Sequence, residues 1–98
     1  MRGGDCNGNL PAMLTGQFAL PRENADPVAM VAGPRGNLYI AEHMTGVVSR
    51  MTLDGRFTKR YRIPGGYPDS LSAGPGRELW VGQGDLGQVT RLELGRRH

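Results

Sequence analysis

Pro27-Val28-Ala29-Met30-Val31-Ala32-Gly33-Pro34 returns, altered but recognisable, as Pro68-Asp69-Ser70-Leu71-Ser72-Ala73-Gly74-Pro75, 41 residues further on. The match runs without a gap through Leu38-Tyr39-Ile40 against Leu79-Trp80-Val81, and through Val48-Ser49-Arg50-Met51 against Val89-Thr90-Arg91-Leu92. Eight of the 25 aligned positions are identical, where chance would leave about one or two, so the chain carries an internal repeat. Upstream, Phe18-Ala19-Leu20-Pro21 matches Tyr61-Arg62-Ile63-Pro64 at an offset of 43, because the loop that follows it is two residues longer.

Each unit divides into short β-prone pieces separated by turn residues. In the first unit the pieces are 28–32, 38–41, 47–52 and 57–63, broken by Gly33-Pro34-Arg35-Gly36, the 43–46 loop, Asp54-Gly55 and Pro64-Gly65-Gly66. Asp-Gly between such runs is a strong hairpin signal, since Gly takes φ > 0 without a Cβ clash. Four strands in 41 residues is the size of one propeller blade. The expected fold is therefore all-β: four-stranded antiparallel meanders forming an incomplete β-propeller. Residues 1–15 are expected as a poorly structured leader, 16–21 as the outer strand of a preceding blade, and 27–67 and 68–98 as the repeat units. A β-sandwich also has short strands but gives no reason for the repeat. Helical solenoids and coiled coils are excluded by 16 Gly and 7 Pro and by the lack of a 3.6-residue apolar period.

Composition narrows the function classes. The net charge of +3 comes from scattered basic residues. In Arg60-Tyr61-Arg62, strand alternation sends the arginines and the tyrosine to opposite faces, unlike the interleaved basic and aromatic surface that binds nucleic acid. The longest apolar run, Val28 to Ala32, is far below the ~20 residues of a membrane span, so neither a nucleic-acid nor a membrane partner is expected. Met1 to Leu14 lacks the apolar stretch of a secretory signal, which favours a cytoplasmic setting. Cys6 is the only cysteine and leaves the redox compartment open.

Gly33-Pro34-Arg35-Gly36-Asn37-Leu38-Tyr39-Ile40-Ala41-Glu42, Val48-Ser49-Arg50-Met51-Thr52-Leu53-Asp54-Gly55 and Phe18-Ala19-Leu20-Pro21 closely resemble the repeat of the streptogramin B (virginiamycin B) lyases. The stretch 36–42 is also similar to the repeats of NHL propellers and gluconolactonase-like hydrolases. The paired Gly-Pro turns and the Leu-Pro and Ile-Pro strand ends favour the lyase-like branch. That resemblance implies a seven-bladed, magnesium-dependent carbon–oxygen lyase that opens a cyclic depsipeptide by elimination at its ester bond. A general base takes the α-proton while the metal polarises the carbonyl.

Strand parity indicates where such chemistry could sit. In a meander, alternate turns lie on alternate faces, so the loops before residue 28 and after residue 42 share one face. That face collects Val28, Glu42, His43 and Met44, then Asp69, Gln83 and Asp85, the only grouping of carboxylates with an imidazole. On the lyase reading, His43 is the catalytic base, Glu42 and Asp69 are magnesium ligands, and a small molecule or cyclic peptide is bound. On a non-catalytic reading, Glu42 serves the loop structure and His43 is solvated. The sequence carries departures that favour the second: Val28 and Asp69 stand where the family often has His or Tyr, adjacent strand residues point apart, and Gln83 replaces Glu in the second unit. Tyr39 and Trp80 are expected to pack between blades, and Arg50 and Arg91 to bond across them. Two blades cannot close a ring, so the chain is expected to be a fragment inactive alone, with a homo-oligomer completing a ring or a small stand-alone β domain as the alternatives.

Overall fold

A computed structural model describes residues 12–22 and 25–94 of the chain. Its strands are β1 (Pro27–Ala32), β2 (Leu38–Glu42), β3 (Val47–Met51), β4 (Phe57–Arg62), β5 (Ser70–Ala73), β6 (Glu78–Gln83) and β7 (Gln88–Glu93). The first four pair in chain order as one antiparallel sheet and the last three as another. No α-helix occurs among the described residues, and no helix there is long and apolar enough to cross a membrane. These are two consecutive blades of an open propeller, as the repeat predicts. Among the described residues, blade 2 has three strands where blade 1 has four.

Turn chemistry sets the strand ends. At the β3–β4 hairpin, Gly55 N–H donates to Thr52 O at 3.0 Å and Thr52 N–H to Arg56 O at 2.9 Å, with Gly55 at φ +92°. The extra residue shifts the register between Arg50 and Met51, the bulge that accompanies a left-handed residue at this position. Thr52 Oγ1 donates to Asp54 Oδ1, and the Arg56 guanidinium lies 4.0 Å from Asp54 Oδ2.

The core lies between the sheets. Cross-strand rows place Val31 and Tyr39, and Ala41, Val48 and Tyr61, on one face of blade 1. The facing rows of blade 2 hold Ala73, Leu79 and Leu92, and Leu71 and Val81. Tyr39, Val48, Leu79 and Val81 interlock there with Ile63 from the inter-blade linker and Leu94 after β7. Tyr39 and Tyr61 are in ring contact at 6.4 Å, and burial pushes the Tyr61 phenol above its ordinary range.

Several sequence expectations need adjusting. Tyr39 packs between blades as expected, whereas its equivalent Trp80 is 38% exposed, because no blade follows β7 among the described residues. Arg50 and Arg91 do not bond across blades. Arg50 Nε donates to Thr58 Oγ1 of its own sheet at 2.9 Å, while Arg91 lies 3.4 Å from Glu93 and 5.7 Å from the Trp80 ring centre. Neighbouring groups on the same sheet reach these guanidinia first. Residues 16–21 make no ladder, since no strand among those described lies beside them; Phe18 and Leu20 instead lie over β1, β2 and β4. Residues 1–11, including Cys6, and the 95–98 end lie outside the described residues.

Two outcomes test this architecture. Leu94→Ala removes a core side chain and lowers unfolding free energy by about 2–4 kcal/mol in dilute solution. Leu53→Ala, at the equivalent but exposed position, changes it by less than about 0.5 kcal/mol in the same urea titration. The Asp54 carboxyl is held below its ordinary value, first by the Thr52 hydroxyl. Its folded value is depressed, so its stabilising contribution is present above the unfolded value and lost as pH falls through the folded one. A carboxyl NMR titration should show an acid-shifted midpoint for Asp54, returning towards the ordinary value in Thr52→Val.

Candidate functional site

All strand ends on one face of the two blades meet at the seam between them. β2 ends in Glu42 and β6 in Gln83, at equivalent repeat positions, and the linker 63–67 carries the chain from β4 to β5 across the same face. Gly46 makes the crossing possible. Its carbonyl accepts Ile63 N–H at 3.0 Å, and a Cβ placed on it would press on the Cα of Gly66. Both glycines have positive φ.

The side chain of Glu42 turns into its own blade and is fully buried. Thr45 Oγ1 donates to Oε1 at 2.7 Å, Ser49 Oγ donates to Oε2, and the Arg60 guanidinium lies 3.8 Å from Oε1. This cluster compensates the desolvation of a carboxylate. Gln83 meets the same burial differently. Its Nε2 donates to Pro64 O at 2.9 Å and Gly66 O at 2.8 Å, while its Oε1 accepts from Gln88 Nε2 and Thr90 Oγ1. An amide can donate to two linker carbonyls where a carboxylate cannot. Gln83 is thus the clasp that fixes blade 2 to the linker. The Glu-to-Gln difference between repeats was visible in the sequence, but its backbone partners were not.

His43 begins the turn after β2 and leans across the seam. Its Nε2 lies 3.8 Å from Asp85 Oδ2 of the next blade, and its ring centre is 5.4 Å from that of Tyr67. Nδ1 is buried without a hydrogen-bond partner. Tyr67 adopts φ +54°, a conformation that strains a bulky residue and recurs at functional sites. Its repeat equivalent is Asp26, with φ +59°. His43, Tyr67, Arg62, Thr45 and the linker glycines line a cleft of about 350 Å³.

The residues singled out in the sequence are therefore divided. His43 and Asp85 come together across the seam. Asp69 caps the β6 turn, its Oδ2 accepting Gly84 N–H at 2.8 Å, and Glu42 is enclosed by Thr45, Ser49 and Arg60. Among the described residues, no group of three or more His, Cys, Asp and Glu side chains could hold a metal ion. The donors present do not fit a magnesium ion within this pair of blades. Tyr67 escaped the sequence reading, which treated the linker as a connection, and Arg62 was weighed there only for nucleic-acid binding; the repeated left-handed position before each Pro had no visible signature.

No family model matches the sequence, and no curated protein matches it. Among solved structures, the fold matches virginiamycin B lyase from Staphylococcus aureus in a catalytically inactive histidine-to-alanine form with quinupristin, at TM-score 0.66 and 21% identity. It also matches the selenomethionine-substituted form of that enzyme at TM-score 0.64 and 22% identity. Each match covers 82% of this chain and 31% of the other, so the chain spans about a third of their length. The seam between two blades described above thus has the fold of part of a virginiamycin B lyase-like propeller.

Proposed function

We propose that the chain forms two blades of a virginiamycin B lyase-type propeller, with the His43 cleft contributing to its ligand-facing end. The observation that carries this reading is His43 poised between Asp85 and Tyr67 over the cleft at the blade seam. Inactivation of the structurally similar lyase by replacing a histidine supports it.

The chemistry follows from the arrangement. With its proton on Nδ1, a neutral imidazole presents the Nε2 lone pair, which can take a proton from carbon next to a carbonyl. The imidazolium so formed faces the Asp85 carboxylate. Negative charge left on the carbonyl oxygen would meet the Arg62 cation of the same cleft. No step is assigned here to magnesium, and Glu42 acts as a structural residue.

The enclosure of Glu42 favours a second reading, a non-catalytic propeller module that binds or scaffolds through the same face. Both readings place the ligand in one cleft and differ over turnover.

Titration of quinupristin into the isotope-labelled chain tests the cleft directly. Amide shifts should centre on residues 43–46 and 62–67, and His43→Ala should weaken binding at least about tenfold. Shifts elsewhere, or none, would falsify the assignment. Glu42→Gln should leave binding unchanged, whereas a lost response in a variant that keeps its fold would make Glu42 a ligand-contacting group.

A further inference from the structure

Arg62 and Thr45 belong to two hollows at once. Besides the His43 cleft they line a second hollow of about 210 Å³, whose other walls are Arg22, Val47 and Arg60. Strand pairing explains the convergence. Arg62 lies opposite Val47 and Arg60 opposite Ser49, so both guanidinia leave the same face of β4. Arg22 joins them from the chain that enters blade 1.

The charges there are unbalanced. Arg60 lies 3.8 Å from Glu42 Oε1, but that carboxylate is fully buried and already held by Thr45 and Ser49. Glu42 therefore fixes Arg60 in place without reaching the other two cations. Among the described residues no carboxylate lines the hollow, and neither Arg22 nor Arg62 has an ion-pair partner. Guanidinia that face one space repel each other unless an anion lies between them.

The repeat shows that this space is peculiar to blade 1. The blade 2 equivalents of Arg22, Thr45 and Val47 are Gly65, Leu86 and Gln88. There the space is filled: a Cβ on Gly65 would come within 2.6 Å of Leu86 Cδ1 and 3.5 Å of Gln88 Nε2. In blade 1 the shorter Thr45 and Val47 leave it open, and a long cation replaces the glycine. The Gln83 clasp gives way to the Glu42–Arg60 pair, which holds a guanidinium at the hollow. The linker also separates this space from the blade before it. Gly66 approaches Gly46 of blade 1, while Gly65 faces Leu86 and Gln88 of blade 2. By the repeat, the arginine hollow lies on that second side, walled by blade 1 and its entering chain.

We infer that this hollow is an oxyanion-binding site, taking a carboxylate or phosphate group. The guanidinium fork matches either group with paired N–H donors, and charge-assisted bonds of this kind are the strong ones. Arg60 is the fixed donor; Arg22 and Arg62 are exposed and close onto the anion. Because Arg62 and Thr45 also line the His43 cleft, an acidic group seated here stands at the edge of that cleft.

Titration of inorganic phosphate, and separately of acetate, into the isotope-labelled 98-residue chain at constant ionic strength tests the site. The guanidinium N–H signals of Arg22, Arg60 and Arg62 should shift together and saturate with a Kd of about 1 mM. Tighter binding of phosphate assigns a phosphate ligand, and equal or tighter binding of acetate a carboxylate. Arg22→Gln and Arg62→Gln, at exposed positions, should each weaken binding at least about tenfold, and Arg56→Gln, the same loss of charge elsewhere, by less than about twofold. Thr45→Leu keeps all three cations but brings in the blade 2 side chain, and should weaken binding as much as either; if it disturbs the strand signals, the arginine variants decide. Shifts still linear at about 50 mM, shifts shared equally by Arg56, or binding that survives both Arg22→Gln and Arg62→Gln would overturn the inference. The quinupristin response is read at residues 43–46 and 62–67 and the phosphate response at Arg22 and Arg60, so each can fail without the other.

Discussion

The apolar contact between the two sheets is the interaction on which everything else in this molecule depends. A blade is a twisted sheet that cannot bury either face by itself, and at this chain length the surface removed from water is barely enough for a core. Tyr39 and Val48 meet Leu79 and Val81 across the seam, and Ile63 and Leu94 close the ends. Burial of this kind is worth about 1.5–3 kcal/mol for each large side chain, comparable per residue with the entropy it must offset. The linker is drawn into the same arrangement: Ile63 packs in the core, and the carbonyls of Pro64 and Gly66 are taken up by Gln83.

That contact also positions the cleft. Packing the blades side by side brings the loop after β2 against the loop after β6, which is how His43 comes to face Asp85 although 42 positions separate them. The linker must cross the same face and delivers Tyr67 to the cleft wall, beside Arg62 at the end of β4. Its close passage would bring a Cβ at Gly46 to 3.3 Å from the Gly66 Cα, a tight contact. The left-handed backbone at Tyr67 is held by its surroundings, with the ring against the imidazole. A loosened seam would therefore disturb the cleft before either blade lost its strands.

The polar residues buried at the strand ends show how little residue type alone says about role. Glu42 has the chemistry of a metal ligand, yet hydroxyls and a guanidinium of its own blade enclose it. Gln83 looked like a lost ligand and is instead a fully satisfied clasp. Both are answers to one problem, the burial of polar groups where strands enter the seam, where an unpaired group would be costly. His43 escapes because it lies one residue beyond the strand, and strand alternation turns it the other way.

Local chemistry and repetition were enough to determine much of this protein. The 41-residue repeat fixed the meander, Asp54-Gly55 fixed a hairpin, and strand parity assigned Glu42, His43 and Asp85 to one face, because turns and alternation depend on neighbours a few residues away. Which of those residues meet was decided by tertiary packing alone. The distance from His43 to Asp85, the enclosure of Glu42, the clasp of Gln83 and the strain at Tyr67 all arise where two sheets and a linker converge. Tyr39 and Trp80 make the reason plain: equivalent residues in equivalent strands, one buried and one exposed, distinguished only by whether another blade lies against them.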